Sequence, residues 1–257
     1  MLNVALLISG GGTTAEAIIK SSKEGVLKDL VSPVVVVSSS KDAGGIAKAQ
    51  ALGIPVEIVD RQVFSSQDEF GQALLAVLEK YGAQLISQNG WLPLTPKNVI
   101  EAFHNKIINQ HPGPLDPGRP DFGGKGMFGA RVVCARLLYC FFTNEEHPWT
   151  ESTVHYVTEE FDKGTIIRSV ELPFSAPDRK IGPENVEMSI PVAEYVKHVT
   201  KLIQEELLPI EHENVIQTLA SLARGETPTC IREQPLVADT QMLTQSKRLA
   251  IKLFPNG

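Results

Sequence analysis

Apolar residues along the first half of the chain fall in short runs separated by glycine, serine and charged positions. Asn3-Val4-Ala5-Leu6-Leu7-Ile8 is nearly continuous, as a central parallel strand buried on both faces must be. Ser9-Gly10-Gly11-Gly12-Thr13-Thr14 follows, and Ala15 to Ser22 has helical composition. The alternation repeats with Pro33 to Val37 as strand two, Ala43 to Leu52 as a helix and Pro55 to Val59 as strand three. Ser66 opens the next helix with Glu69 three residues on, a capping box, and Phe70, Leu74, Val77 and Leu78 form its apolar stripe. Gly82 suits the left-handed residue that closes it. Gln84 to Ser87 is strand four, Thr95 and Pro96 read as N-cap and first residue of a short helix ending near Asn105, and Lys106 to Asn109 is strand five. Strands alternating with helices predict an α/β, doubly wound and mostly parallel sheet, with ligands at the carboxyl ends of its strands.

After His111 the pattern changes. Residues 112 to 129 contain six glycines and four prolines, a long irregular loop of the kind that is usually functional or mobile. Ala130 to Phe142 reads as an apolar helix. Glu151 to Val157 alternates like a strand, with Thr165 to Glu171 as hairpin partner across Asp162-Lys163-Gly164. Glu184 to Leu208 reads as one long helix open to interruption at Pro191, Val215 to Ala223 as another, and the tail from Gly225 has weak periodicity. The expected division is a main domain over 1–209 and a helical extension over 210–257 packed on it.

Composition narrows the function. Of 257 residues 42 % are apolar and 21 % charged, the profile of a soluble globular protein. A net charge of −6 without a Lys/Arg run gives nucleic-acid binding no electrostatic support. No apolar run approaches the roughly 18 to 20 residues of a membrane span, and no basic leader precedes Asn3. Cys134, Cys140 and Cys230 have neither metal-ligand nor disulfide-framework spacing. The expectation is a cytoplasmic monomer or homodimer that acts on small molecules, with no metal, nucleic-acid or membrane partner.

Two places carry candidate chemistry. Glycines feeding a helix N-terminus gather N–H donors and positive dipole, which suits a phosphate. Gly11, Gly12, Thr13 and Thr14 are the candidate contacts. A tight structural turn and a dinucleotide site, on the loose G-x-G-x-x-A match of Gly10 to Ala15, remain alternatives. The dinucleotide reading wants an acid at the end of strand two, where Ser38-Ser39-Ser40-Lys41 stands instead. The second place is Asn109 and His111, two apart and so on one side of an extended segment. An amide donor and an imidazole there suit acyl or formyl transfer, whose tetrahedral intermediate needs an oxyanion donor and a group to move a proton. Asp162 is the candidate carboxylate to orient the imidazole and favour its charged form. Taken singly, a strand-ending histidine and a turn aspartate explain these residues as well.

The opening segment through Gly12, Asn109-Gln110-His111-Pro112 and Ser152-Thr153-Val154-His155-Tyr156-Val157-Thr158-Glu159-Glu160-Phe161-Asp162-Lys163-Gly164 resemble, in order, the signatures of the folate-dependent formyltransferase family. The opening segment looks like the start of the glycinamide ribonucleotide (GAR) transformylases. The likeness covers roughly residues 1–209. It implies a Rossmann-like formyltransferase fold with a C-terminal hairpin, long helix and tail, and transfer of a formyl group from 10-formyltetrahydrofolate to the GAR amine in purine synthesis. By resemblance Asn109 donates to the oxyanion, His111 supports it as imidazolium, and Asp162 holds that charge and helps pass the proton. Gly11, Gly12, Thr13 and Thr14 take the ribonucleotide phosphate. Trp91, Leu92, Pro93 and Leu94 edge the folate pterin, with Val157 and Thr158 beginning the opposite wall. Lys125 and Glu205, or its neighbour Glu206, are possible acceptor contacts.

The chain departs from the family where Gly10 to Thr14 replaces Gly-Asn-Gly-Ser-Asn, where Gly90-Trp91-Leu92-Pro93-Leu94-Thr95 lacks the folate loop's arginine, and in the proline-rich stretch after His111. Trp91 can stack on a ligand or anchor the core, and His155 can pack in the hairpin or support the site. A sugar-nucleotide N-formyltransferase and a formyltetrahydrofolate hydrolase are alternatives within the class, and a non-catalytic phosphate- or dinucleotide-binding module is the alternative outside it.

Overall fold

The computed structural model describes residues 1–116, 119, 121–175, 181–232 and 235–257. Pro117, Gly118 and Pro120 of the proline-rich loop lie outside the described residues. Strand β1 (Leu2–Ile8) is central, and period-two alternation sends its side chains to two different cores. Val4, Leu6 and Ile8 pack with Ile18 and Ile19 of helix α1 (Thr13–Glu24), while Ala5 and Leu7 pack with Phe70, Leu74 and Leu78 of helix α3 (Gln67–Lys80). Burying each such side chain contributes about 1.5–3 kcal/mol, which is why the run has no polar position to spare.

Strand β2 (Val31–Ser38) lies on one side of β1 and carries β3 (Val56–Ile58) outside it, with helix α2 (Gly45–Ala51) between them in the chain. On the other side come β4 (Leu85–Gln88) and β5 (Ile107–His111), joined by helix α4 (Lys97–Ala102). All these pairings are parallel. The sheet then reverses: β6 (Trp149–Tyr156) runs antiparallel to β5, and β7 (Ile166–Pro173) antiparallel to β6. The seven-stranded order is β3-β2-β1-β4-β5-β6-β7, the doubly wound, mostly parallel sheet expected. Helix α5 (Ala130–Thr143) is almost wholly buried and anchors a third core.

The helices differ from expectation in three places. Pro96, with ψ 147, is itself the N-cap of α4, so that helix begins at Lys97 rather than at Pro96. Thr95 is engaged elsewhere, its hydroxyl accepting from Gln88 Nε2 at 2.6 Å. The long helix breaks at Ser189 instead of Pro191, giving α6 (Pro183–Met188) and α7 (Ile190–Ala223). Pro191 sits in the first turn of α7, where a missing N–H costs nothing, and α7 runs on through Pro209 to absorb the helix expected over 215–223. The boundary expected near 209 therefore falls inside one helix. The tail forms a further helix, α8 (Thr240–Leu253), capped by Asp239, whose carboxylate accepts from Gln241 N and Met242 N at 2.9 and 3.0 Å. Leu249 and Ala250 bury it in the α5 core.

At Ser66 the cap is half of the predicted box. Its hydroxyl accepts from Glu69 N at 3.1 Å, but the Glu69 carboxylate reaches Ser65, taking both N–H (3.0 Å) and hydroxyl (2.6 Å).

The β6–β7 hairpin depends on Gly164, because a Cβ there would collide with the Tyr156 carbonyl. We predict that Gly164→Ala destabilises the protein by about 1–3 kcal/mol, read as a fall in melting temperature of several degrees. An unchanged melting temperature would show that the hairpin end does not constrain this position.

Candidate active site

At the carboxyl ends of β1, β4 and β5 the sheet opens into a cleft of about 740 Å³, walled by Gly10 to Thr14, by Trp91 to Leu94, by Gly124 to Gly129 and by Val157 with Glu160 to Asp162. Each wall has a local cause. Gly12, with φ +64, is the N-cap of α1, which has no side-chain cap. A Cβ at Gly12 would lie 2.6 Å from Gly45 Cα, and Gly45 N donates to Gly10 O at 3.0 Å, so α2 pins the glycine loop. The first N–H groups of α1 have no intrahelical acceptor, and Thr13 and Thr14 line the cleft beside them.

Ser9 ties this wall to the next. Its hydroxyl accepts from Leu92 N at 2.9 Å and from the Ser39 hydroxyl at 2.6 Å, and its N–H donates to Gly90 O at 3.1 Å. Leu92 is exposed at the rim. The Trp91 ring stacks on Phe70, with centroids 6.2 Å apart at 7°, and only 6 % of the residue is exposed. The ring anchors the core, and the residue also lines the cleft.

On the cleft floor Asn109, His111 and Asp162 meet. The register pairs Asn109 with His155 across β5 and β6, so both point to one face. Asn109 Nδ2 donates to Asp162 Oδ1 at 3.4 Å and lies 3.1 Å from His155 Nε2. His155 Nδ1 lies 2.8 Å from the Tyr156 carbonyl, which only accepts; that fixes Nδ1 as the protonated nitrogen and leaves Nε2 to accept from Asn109. His155 thus supports the site from within the hairpin. Asp162 Oδ2 accepts from Gly124 N at 2.8 Å, and His111 Nδ1 stands 3.8 Å from Asp162 Oδ1, an electrostatic contact longer than a hydrogen bond.

Burial opposes charge on Asp162, yet the His111 and His155 imidazoles and the Gly124 N–H outweigh it and hold the carboxyl well below the usual carboxylate range. For His111 burial wins: it pushes the imidazole down to about 4 despite the nearby Asp162 carboxylate, and His155 and Lys247 push the same way. Its Nε2 is buried without a partner. Burial therefore disfavours charge on His111 in the free site.

The remaining candidates divide. Lys125 is exposed at the cleft rim and Val157 lines the wall, its N–H bonded to Ile107 O at 2.9 Å. Thr158 is exposed, does not line the cleft and spends its hydroxyl on Glu160 O at 3.0 Å; Glu160 and Phe161 form the wall instead. Glu205 and Glu206 are exposed on the outer face of α7. The cleft is lined by Gln204, Leu208 and Glu211, positions i, i+4 and i+7 of that helix, a spacing that marks one face. Gln110 also enters the cleft, on the side of β5 opposite Asn109, with its Nε2 buried and unpartnered. Its place between two site residues was the available signal. Burial pushes Glu211 up to about 7, opposed by a contact to Gln110.

Among the described residues no group of three His, Cys, Asp or Glu can hold a metal ion, and no helix is long and apolar enough to cross a membrane.

Residues 2–182 match the Formyl transferase family. The chain is 33 % identical over 165 residues to the chloroplastic phosphoribosylglycinamide formyltransferase of Arabidopsis thaliana, covering 64 % of this chain and 52 % of that protein. It is also 33 % identical over 180 residues to the trifunctional purine biosynthetic protein adenosine-3 of Gallus gallus, covering 69 % of this chain and 16 % of that protein. The chain thus spans about half the length of the plant relative and a sixth of the bird one. The crystal structure of glycinamide ribonucleotide transformylase 1 from Symbiobacterium toebii superposes with a TM-score of 0.69 at 25 % identity, over 91 % of this chain and 95 % of that one.

Two buried groups in the cleft predict opposite pH dependences of stability. His111 binds its proton less readily folded (about 4) than unfolded (6.5), so between these values the unfolded chain holds more protons and stability rises with pH. Glu211 is raised from 4.5 to about 7, so the folded chain holds more protons and stability falls across that window. Each effect is worth up to about 3 kcal/mol. In urea titrations from pH 4 to 8, His111→Gln loses the rising component and Glu211→Gln the falling one. Parallel profiles for wild type and both variants would contradict the buried placement of these groups.

Proposed function

The chain belongs to the Formyl transferase family, and on that premise we propose that it transfers a formyl group from 10-formyltetrahydrofolate to the amine of glycinamide ribonucleotide. The observation that carries this reading is the meeting of Asn109, His111 and Asp162 on the floor of one cleft, between a helix N-terminus suited to phosphate and the Trp91 to Leu94 loop suited to a flat heterocycle. The ribonucleotide phosphate lies on the N–H groups of Gly11 to Thr14. The pterin lies between the Trp91–Leu94 backbone and the wall begun by Val157.

The acceptor amine attacks the formyl carbon, and the carbonyl electron pair moves to oxygen as a tetrahedral intermediate. Asn109 Nδ2 donates to that oxygen, giving up its long contact with Asp162. Neutral His111 accepts the proton that the attacking nitrogen sheds, and the Asp162 carboxylate 3.8 Å away stabilises the imidazolium so formed. The C–N10 bond then breaks, the electron pair goes to N10, and the proton passes to the departing tetrahydrofolate. No metal is called on. The three unpaired cysteines fit a reducing cytoplasm.

A dinucleotide ligand is disfavoured by the end of β2, where the Ser39 hydroxyl bonds to Ser9 and no carboxylate is available for a ribose. Within the class, a sugar nucleotide needs a base and diphosphate pocket, and the glycine-fed N-terminus of α1 suits a monophosphate.

The test is turnover of a formyl-folate donor, followed by folate absorbance, with GAR, an amino-sugar nucleotide or water as acceptor. We expect GAR-dependent turnover that falls by about 10²–10⁴-fold in Asp162→Asn and His111→Ala, with melting temperature retained. Turnover on the amino sugar but not on GAR would overturn the acceptor, and near-normal turnover in either variant would overturn the mechanism.

A further inference from the structure

Resting on that reading, we propose that Lys247, on the C-terminal helix α8 and beyond the family-matched segment, is a positioning residue that fixes Asp162 through the loop after His111. Lys247 Nζ donates to two loop carbonyls, Asp121 O at 2.8 Å and Gly123 O at 2.7 Å. The next N–H along, that of Gly124, donates to Asp162 Oδ2 at 2.8 Å. One ammonium thus holds the carbonyl end of the Gly123–Gly124 peptide, whose N–H end holds the carboxylate.

The loop needs such a tether. Asp121 has φ +33 and Gly124 φ +92, both in the left-handed region, and glycine-rich backbone gives up much conformational freedom when ordered. Asp121 and Gly123 are buried, and buried carbonyls require donors. The fit to Asp162 is close: a Cβ at Gly123 would lie 2.7 Å from Asp162 Oδ2 and 2.9 Å from Leu115 Cδ2. A shift of the loop by less than an ångström either presses on the carboxylate or breaks the Gly124 bond.

The helix that presents Lys247 is itself held. Asp239 caps it, Leu249 and Ala250 bury it against α5, and Arg131 Nε donates to Phe254 O at 2.8 Å just past its end. A second cation from the tail meets the near end of the same loop, where Arg232 Nε donates to Leu115 O at 2.6 Å while pairing with the buried Glu151 carboxylate. Of these two cations, Lys247 is the one that binds the peptide touching Asp162.

Lys247→Met removes the donors and keeps much of the side-chain bulk, while Lys247→Arg keeps charge and donors. Both are compared with wild type for kcat and KM on the formyl-folate donor and GAR, for melting temperature, and for hydrogen exchange of the Gly124 amide by NMR. For Lys247→Met we expect kcat to fall about tenfold with both KM values within about twofold, and Gly124 exchange to accelerate about tenfold. Lys247→Arg restores most of both. Wild-type kcat and Gly124 protection in Lys247→Met overturns the proposal. So does a loss of kcat equal in both variants that tracks the unfolded fraction. If wild type itself transfers no formyl group, the proposed reaction fails, and Gly124 exchange alone decides whether Lys247 holds the loop: acceleration supports it and unchanged exchange overturns it.

Discussion

A carboxylate taken out of water has to be met by donors, and in this molecule the buried carboxylate is Asp162, 9 % exposed at the base of the cleft. Left alone it would neutralise. It stays charged because separate pieces of chain converge on it: the Gly124 N–H from the loop after β5 and the Asn109 amide from β5, which His155 of β6 holds by accepting from the same amide. Asp162 adopts φ +57 to make these contacts, a left-handed conformation that aspartate tolerates better than most residues. The hairpin, the loop after β5 and β5 itself therefore have to be placed together around one carboxylate.

The switch of the sheet from parallel to antiparallel at β5 makes this convergence possible. The antiparallel β6 sets His155 directly beside Asn109 and ends at the amino end of β5, and the turn that follows folds back so that Asp162 reaches Asn109 and His111. Because side chains alternate strictly, a register slip of one residue would set Val154 opposite Asn109 and turn His155 away. Gly164 guards that register at the far side of the turn, where no side chain fits beside the Tyr156 carbonyl.

How much of this was legible in the sequence follows the range of the forces involved. The strands of the parallel sheet were readable because burial on both faces leaves a continuous apolar run, and the shared side of Asn109 and His111 because strand geometry has period two. The Ser66 cap was readable because it closes within four residues. What failed depended on competition or distance. Thr95 resembled a cap but its hydroxyl serves Gln88. Glu205 sits one residue past the cleft-facing Gln204, a rotation of the helix that spacing without a packing partner cannot fix. Helix α8 did leave a local signature in Asp239 and in the spacing of Met242, Leu243, Leu249, Ala250 and Leu253. Its contact with the loop after His111 spans more than a hundred residues and left none.

The neutrality of His111 bears on when charge appears in the proposed reaction. An imidazolium standing in the free site would share the same small volume with Lys247, and burial already works against it. It becomes favourable once a developing oxyanion supplies the missing negative charge, and the amine supplies the proton in the same step. Charge on the histidine and charge on the oxygen then stabilise one another only in the intermediate and in the transition state that leads to it. An interaction absent from the ground state and present in the transition state lowers the barrier rather than merely tightening binding. In the proposed reaction a histidine whose charge is disfavoured until that step is thus better suited to the transfer than one already charged, and the proposed tether from the tail acts on the carboxylate that receives this charge.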